Sequence, residues 1–259
     1  MSRRATARAR APVPITLSEE GGVRFLHFGS PWVQGAMRIA RPDELVLDYV
    51  RQMMGWLLFL APPARILQLG LGAGSLTRFS LRHCAGSEVT AVEVSDEVIE
   101  TARQWFALPQ AEPRLRVVRA DAQEFVERAP SRGRYGVIQV DLYDMHARGP
   151  AIESLRFYRA CREALAEPGI CVVNLFGRHA SFERNLRRIE RAFGGRVLAL
   201  PAIAEGNRVV FAFTGPTLAV RWPLLQARAR LLRGRLGLPA EDWVRALRVR
   251  SGRGASLVV

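Results

Sequence analysis

Residues 65–75 read RILQLGLGAGS, a short apolar run followed at once by a glycine-rich turn and the start of a helical pattern. A GxGxG turn between a first strand and a first helix lets the backbone approach a nucleotide closely and directs helix N–H groups towards it. Ser75 stands where a dinucleotide-binding fingerprint has its third Gly or Ala, which disfavours NAD and FAD. We therefore predict cofactor contacts from Gly70, Gly72 and Gly74. The alternative is a plain tight turn.

Strand and helix patterns alternate regularly downstream of this loop, from Arg65–Leu69 to Arg208–Phe213. Such alternation predicts an α/β fold with a doubly wound, mostly parallel sheet and helices on both of its faces. Ahead of the loop, Val13–Phe28 and Trp32–Ile39 alternate apolar and polar residues around glycine-rich turns, which predicts a small N-terminal β-hairpin module. Asp43–Leu60 has helical periodicity and stops at two prolines.

These patterns divide the chain into four expected segments. They are a disordered basic tail (1–13), the β-hairpin module (14–40), a nucleoside-cofactor-binding α/β domain (41–215) and a basic helical C-terminal extension (216–259). Within the last segment we expect helices over Thr217–Leu232 and Ala240–Arg248, followed by a polar end.

Two carboxylates follow the second and third predicted strands. Glu93 lies 23 positions after Gly70, where an acidic residue can accept hydrogen bonds from both ribose hydroxyls. Asp121, followed by Ala122, could accept a hydrogen bond from an adenine amino group or cap the helix that starts at Ala122. The alternative for Glu93 is a solvent-facing residue before a helix.

The fourth strand ends in Asp141-Leu142-Tyr143-Asp144. Carboxylates just past a buried strand lie where open α/β sheets place their chemistry. Asp141 and Asp144 would favour a cationic amine, and one of them could take its proton before attack. The alternative is a pair of loop aspartates that form a turn.

Bulk composition narrows the class of protein. The formal net charge is +14, yet all 38 basic residues are arginine, and the excess is concentrated at the two ends of the chain. Uniform arginine use favours a codon bias over a phosphate-binding face, so we do not expect a nucleic-acid partner. The alternative is that the basic ends contact RNA or an acidic membrane surface. Three cysteines without CxxC spacing and four histidines without ligand spacing predict no disulfide framework and no metal site, and favour the cytoplasm. Every apolar stretch is too short for a membrane span.

The run from Val33 to Asp144 resembles the spermidine synthase (polyamine aminopropyltransferase) family. The motifs that carry the resemblance are Val33-Gln34, Asp43-Glu44, the glycine loop, Val92-Glu93-Val94, Asp121-Ala122 with Glu124-Phe125, and the DxxD of residues 141–144. Their order and spacing are specific only in combination.

The resemblance implies a decarboxylated S-adenosylmethionine donor, an amine acceptor and a homodimer. Glu93 would then bind the ribose and Asp121 the adenine, while Gln34 would line the pocket. Asp141 would deprotonate and position the amine, and Asp144 would hold its cationic end.

Three departures from the family pattern concern the donor tail and the amine. Ala73 stands where the family has Asp, and Leu47 and Tyr49 stand where it has Tyr and Glu. Residues 203–207 replace its Tyr-Pro-Ser-Gly-Gln segment. Two rival hypotheses follow: a methyltransferase that uses S-adenosylmethionine itself, and a family member that has lost catalysis and is associated with nucleic acid or regulation.

Overall fold

The computed structural model describes residues 14–142, 154–176, 181–252 and 254–259. The predicted basic tail lies outside the described residues. Within the described ranges, no helix combines the length and the apolar character needed to cross a membrane.

An antiparallel three-stranded sheet opens the described chain, as the alternating pattern predicted. Its strands are β1 (Ile15–Glu20), β2 (Val23–Phe28) and β3 (Val33–Arg38), paired in the order β1-β2-β3. Gly21 and Gly22 form the first turn with φ of +57° and +74°, the positive values that a tight two-residue hairpin requires.

In the part of the chain that is described, the central sheet contains seven strands. They are β4 (Arg65–Leu69), β5 (Glu88–Glu93), β6 (Leu115–Arg119), β7 (Tyr135–Val140), β8 (Leu165–Phe176), β9 (Val197–Ala199) and β10 (Asn207–Thr214). Their order in space is β6-β5-β4-β7-β8-β10-β9, with β10 antiparallel to both neighbours and every other pair parallel. This is the doubly wound, mostly parallel sheet that the sequence predicted.

The described residues form eight helices, which lie on both faces of the sheet. They are α1 (Asp48–Met53), α2 (Ser75–His83), α3 (Asp96–Trp105), α4 (Ala122–Glu127), α5 (Leu155–Ala164), α6 (Ser181–Phe193), α7 (Trp222–Leu236) and α8 (Ala240–Arg250). Alternate residues of each strand point to opposite faces, so Val137 of β7 joins the core under α1, α7 and α8, whereas Ile138 joins the core under α4, α5 and α6.

The helix expected over Asp43–Leu60 is shorter in the structure. It is split into α1 and a 3₁₀ turn over Gly55–Leu58. Gly55 lies against Phe211, where a Cβ atom would come within 2.8 Å of the phenyl ring. This close packing of a glycine, a poor helix former, accompanies the break.

The C-terminal segment also differs from the expectation. A short strand, β11 (Ala219–Arg221), precedes α7 and pairs with β12 (Ser256–Val258), where a polar end was expected. The helix expected from Thr217 therefore begins at Trp222, and its side chain and that of Trp243 are buried in the main core. A pairing between strands so distant in sequence leaves no local pattern to predict it.

The strand order reverses between β4 and β7. From β4 the chain proceeds outwards to β5 and β6, and from β7 it proceeds in the other direction to β8. The crevice at the carboxyl ends of two such strands is where open α/β sheets bind ligands. The glycine loop follows β4 and Asp141 follows β7, so both lie at this crevice.

Candidate active site

The glycine loop is folded tightly against the end of β7. Gly70, Gly72 and Gly74 have φ of +92°, +50° and +69°, and the N–H of Gly74 donates to the Leu71 carbonyl at 2.8 Å. A Cβ atom on Gly70 would lie 2.2 Å from the carbonyl oxygen of Asp141. The sequence thus uses glycine where both the backbone conformation and the close approach demand it.

Glu93 holds the loop from the neighbouring strand. One carboxylate oxygen, Oε2, accepts from the Leu71 N–H at 3.1 Å. The other, Oε1, accepts from the N–H groups of Val94 at 2.8 Å and Ser95 at 3.1 Å. An ionised carboxylate offers about four acceptor positions, so these three bonds leave capacity for a hydroxyl ligand. The sequence had not indicated this contact with the loop.

Asp121 is the N-cap of α4. Its Oδ1 accepts from the N–H groups of Gln123 at 2.8 Å and Glu124 at 3.2 Å. The capping alternative is therefore present in the structure, and because both bonds use Oδ1, capping leaves Oδ2 for a ligand. The side chain of Ala122 is buried in the core, so any ligand contact at this position comes from its backbone.

Asp141 is partly buried, and two hydrogen bonds hold its carboxylate. Asn174 Nδ2 donates to Asp141 Oδ1 at 2.9 Å, and the Tyr49 side chain forms a second bond. Burial raises the pKa of Asp141 to about 6, and the bonds from Asn174 and Tyr49 act in the opposite direction. Asn207 Nδ2 donates in turn to Asn174 Oδ1 at 3.1 Å. Asp141 is thus an oriented carboxylate with an elevated pKa.

A cavity of about 290 Å³ opens beside this group. Its walls are apolar on several sides, with Trp32, Leu47, Phe176 and Ile203 among the contributors. Polar lining comes from Gln34, Asp48, Tyr49, Asn174, Glu205 and Asn207. Apolar walls with two carboxylates suit an organic cation that carries methylene groups.

Gln34 brings the N-terminal sheet into the site. Its Nε2 is buried without a hydrogen-bond partner in the described structure, and its backbone carbonyl lies over Gly72. The Ser75 hydroxyl donates to the Ala36 carbonyl at 2.9 Å and joins β3 to the start of α2. A buried amide without a partner carries a desolvation cost, which a ligand in the cavity would relieve.

The Ala73 methyl group packs against the N-terminal sheet. This side chain is buried with Leu26, Met37 and Phe106, and a Cβ atom on Gly35 would lie 2.5 Å from the Ala73 methyl group. The family resemblance implied that position 73 lies near the donor tail. In the structure this position forms the contact between the glycine loop and the N-terminal sheet.

Three of the residues that gather around Asp141 were not predicted as site residues. Tyr49 was noted only as a departure from the family pattern, and Asn174 and Asn207 were not singled out. Asn174 could have been noticed, because it is the lone polar residue of the apolar run 170–176, and it is 1% exposed. Asp144 was predicted to hold the amine, but it lies outside the described residues.

No cluster of three or more metal-ligating side chains occurs among the residues whose placement is described.

Comparison with known proteins agrees with this geometry. Residues 43–193 match the family model described as "Spermine/spermidine synthase domain". The chain is 35% identical over 246 residues to a polyamine aminopropyltransferase of Chromobacterium violaceum, covering 95% of this chain and 94% of that one. It is 39% identical over 225 residues to a polyamine aminopropyltransferase of Neisseria meningitidis, covering 86% and 85%.

Among solved structures, a probable spermidine synthase from Corynebacterium glutamicum superposes with a TM-score of 0.70 at 22% identity. The match covers 93% of this chain and 91% of that one. At 22% identity it shows that the two proteins share a fold. The family model spans more than half of the chain, and the two relatives cover 95% and 86% of it. The glycine loop and Asp141 also lie together where the strand order reverses between β4 and β7. The chain belongs to the spermine/spermidine synthase family.

Proposed function

We propose that this chain is a polyamine aminopropyltransferase that moves an aminopropyl group from decarboxylated S-adenosylmethionine to an amine acceptor. The observation that carries the proposal is the position of Asp141. Its backbone touches the glycine loop at Gly70, and the residues that orient its carboxylate line the cavity. A donor held at the loop and an amine held in the cavity would therefore meet at Asp141.

The reaction needs little covalent help from the protein. The lone pair of a neutral amine attacks the methylene carbon next to the sulfonium, the carbon–sulfur bond breaks, and its electrons neutralise the sulfur. The products are the aminopropylated amine, methylthioadenosine and one proton. The protein therefore has to orient the two partners in line and accept the proton.

Asp141 is the proposed base. A carboxyl group whose pKa is raised to about 6 is a stronger base than an ordinary aspartate and is still ionised above that pH. The hydrogen bonds from Asn174 and Tyr49 would fix the direction of its lone pairs.

The donor's nucleoside is assigned to the loop side of the crevice. Backbone groups at Gly70, Gly72 and Gly74 would lie against it, as would the backbone at Ala122. The remaining acceptor capacity of Glu93 suits the ribose hydroxyls, and the free oxygen of Asp121 suits the adenine amino group.

The acceptor is assigned to the cavity. Its apolar walls would contact methylene groups, while Asp48 and Glu205 add negative charge that favours an ammonium group. Gln34 would contact the reacting ends of both substrates, because it lines the cavity and its backbone carbonyl lies near Gly72. By resemblance Asp144 would hold the far cationic end.

The rival hypothesis is a methyltransferase that uses S-adenosylmethionine. Its support is Ala73, because the loop lacks the carboxylate that would repel the carboxylate of that donor. The amine-favouring carboxylates of the cavity and the 35–39% identity to polyamine aminopropyltransferases favour aminopropyl transfer.

The deciding experiment incubates the full chain with each donor and a panel of linear diamines and polyamines, and measures methylthioadenosine and S-adenosylhomocysteine by mass spectrometry. Methylthioadenosine formed with decarboxylated donor, dependent on an amine and lost in Asp141→Asn, supports the proposal. S-adenosylhomocysteine formed from the carboxylated donor would replace it with the rival. Binding of a donor without turnover of any amine would mean that catalysis has been lost.

We also infer a cytoplasmic homodimer. The cytoplasmic assignment is supported by three buried free cysteines. The dimer is an expectation from the family resemblance, and sedimentation velocity of the purified chain tests it.

A further inference from the structure

Two glutamines lie side by side in the middle of the sheet. Gln68 of β4 and Gln139 of β7 are register partners, and they are 1% and 0% exposed. Gln68 Nε2 donates to Gln139 Oε1 at 3.0 Å. Their neighbours on this face, Ile66 and Val137, are apolar core residues. Burying two amides in such surroundings is costly unless their hydrogen bonds are satisfied.

The hydrogen bonds of this pair extend to helices on either side. The Thr77 hydroxyl of α2 donates to Gln68 Oε1 at 2.6 Å. At the other end, Gln139 Nε2 donates to the carbonyl of Met53, the last residue of α1, at 3.2 Å. A continuous buried chain therefore connects the helix behind the glycine loop to the helix that presents Tyr49. Satisfied networks of this kind make a packing arrangement rigid and specific.

Helix α1 is consequently attached at two points, one on β7 and one on the residue that follows it. Tyr49 bonds the carboxylate of Asp141, and the carbonyl of Met53 bonds the amide of Gln139. The four residues from Tyr49 to Met53 rise about 6 Å along a helix. The two residues from Gln139 to Asp141 span about 6.6 Å along a strand. Tyr49 and Met53 are four residues apart, so they lie on the same side of α1, and the two bonds together restrict how α1 can shift along β7.

We propose that Gln139, held by Gln68, is a positioning residue that fixes the register of α1 on β7 and thereby places the Tyr49 hydroxyl on the carboxylate of Asp141. The consequence for turnover rests on the proposed function. The alternative is that the amides only satisfy each other in the core, in which case their loss lowers stability without changing Asp141.

The test is Gln68→Leu combined with Gln139→Leu. Replacing both amides avoids leaving one of them unpaired in the core. The pKa of the Asp141 carboxyl group is measured in the ligand-free protein by carbon-13 NMR of labelled aspartate, with Asp141→Asn to assign the signal. The titratable groups of the described chain that line the cavity are Asp48 and Tyr49 from α1 and Glu205 ahead of β10, and all three are kept.

The double variant should raise the pKa of Asp141 above about 6, because a bond that lowers it is lost. Tyr49→Phe should raise it by the same amount, and the triple variant should show no further rise. In turnover assays kcat should fall about tenfold or more, since misplacement of a reacting group by about 1 Å costs up to about a hundredfold. An unchanged pKa of Asp141 in the double variant overturns the proposal.

Ser131→Ala is the matched control. Its hydroxyl makes a buried hydrogen bond to the Phe125 carbonyl at 3.0 Å, away from α1. It should lower the melting temperature and leave the pKa of Asp141 unchanged. If the double variant does not fold, Gln139→Met is used instead, because it removes the amide with little change of volume. The pKa of Asp141 in that variant then tests the proposal in the same way. The titration needs no substrate. It therefore tests the role of Gln139 in positioning α1 even if the wild-type chain turns over no amine.

Discussion

Gly70 and Asp141 are in contact through their backbones where β4 and β7 end side by side, with the Asp141 N–H donating to the Leu69 carbonyl at 2.9 Å. This contact puts the turn expected to bind the donor against the residue expected to take the proton. It leaves no room for a side chain at position 70, where a Cβ atom would fall 2.2 Å from the Asp141 carbonyl oxygen.

Gly70→Ala should therefore lower stability and weaken donor binding together. The positive φ costs about 1–2 kcal/mol for a residue with a side chain, and the contact with Asp141 adds to this. Urea unfolding and calorimetric titration with decarboxylated S-adenosylmethionine measure the two effects. Gly86→Ala is the control, because a Cβ atom at Gly86 meets nothing within 4 Å. Equal behaviour of the two variants would contradict the contact.

Asp141→Asn should lower kcat by about 10²–10⁴-fold, the usual contribution of a general base, and leave nucleoside binding nearly intact. It should also stabilise the protein above pH 6. Because the pKa of Asp141 is raised from 3.8 to about 6, the native state binds this proton more tightly than the unfolded state does. Stability therefore falls as the pH rises from about 4 to about 6, by at most about 3 kcal/mol, and an uncharged Asn avoids that loss.

Two pH series check this prediction. The melting-temperature difference between Asp141→Asn and wild type should grow from pH 4 to pH 6 and then level off. In wild type, kcat/KM for the amine should fall below a midpoint near pH 6, as the base becomes protonated. Full activity of Asp141→Asn would remove Asp141 from the role of base.

Glu93→Gln should weaken donor binding by about ten- to a hundredfold, the usual range for the loss of charged hydrogen bonds. The structure gives Glu93 two tasks, because it accepts the Leu71 N–H as well as facing the expected ribose. A donor analogue that lacks both ribose hydroxyls separates them. If Glu93 binds the ribose, the variant should discriminate less than wild type between the donor and this analogue. Glu88→Gln, an exposed change at the start of the same strand with a salt bridge to Arg65 at 3.2 Å, is the control.

The local sequence pattern predicted those site residues that lie at the carboxyl end of a strand. The loop after β4, Glu93 at the end of β5 and Asp141 after β7 are positioned by parallel pairing alone, which alternation reveals. Tyr49 and Asn207 reach the site from a short helix and from the first residue of β10, and their positions depend on packing between distant segments. The packing of Ala73 could not be predicted for the same reason, because it depends on how the N-terminal sheet docks on the loop.

Arg78 should prove essential to the shape of the loop. Its guanidinium is buried beside the loop and donates to the carbonyls of Pro42 at 2.6 Å, Phe106 at 2.6 Å and Ala73. Burial lowers the pKa of Arg78 to about 10, with Asp43 acting in the opposite direction. Arg78→Met removes all three bonds and leaves buried carbonyls unpaired, so we expect a loss of about 2–4 kcal/mol in urea unfolding.

The matched control is Arg82→Met on the same helix, whose side chain is 72% exposed and 3.6 Å from Asp43. Exposed pairs of this kind contribute little. Donor affinity should fall in Arg78→Met and stay unchanged in Arg82→Met. Arg78→Lys should rescue only part of the loss, because an ammonium group does not reproduce the planar fork that spans several carbonyls. Complete rescue by Lys would show that charge alone is required.

Ala73→Asp tests which side of the loop position 73 faces. The family resemblance places an aspartate here, where it would attract the amino group of a decarboxylated donor. In this chain the Ala73 methyl group is 3% exposed and packs on Gly35. A carboxylate would then be buried beside Leu26 and Phe106 without a partner. We expect the melting temperature to fall without a gain in preference for the decarboxylated donor, because an unpaired buried charge is costly. Gly35→Ala should lower it as well, since its Cβ atom would lie 2.5 Å from the Ala73 methyl group. A stable Ala73→Asp variant that binds the decarboxylated donor more tightly would instead mean that this side chain reaches the crevice, and that the chain's donor choice depends on a single residue of the loop.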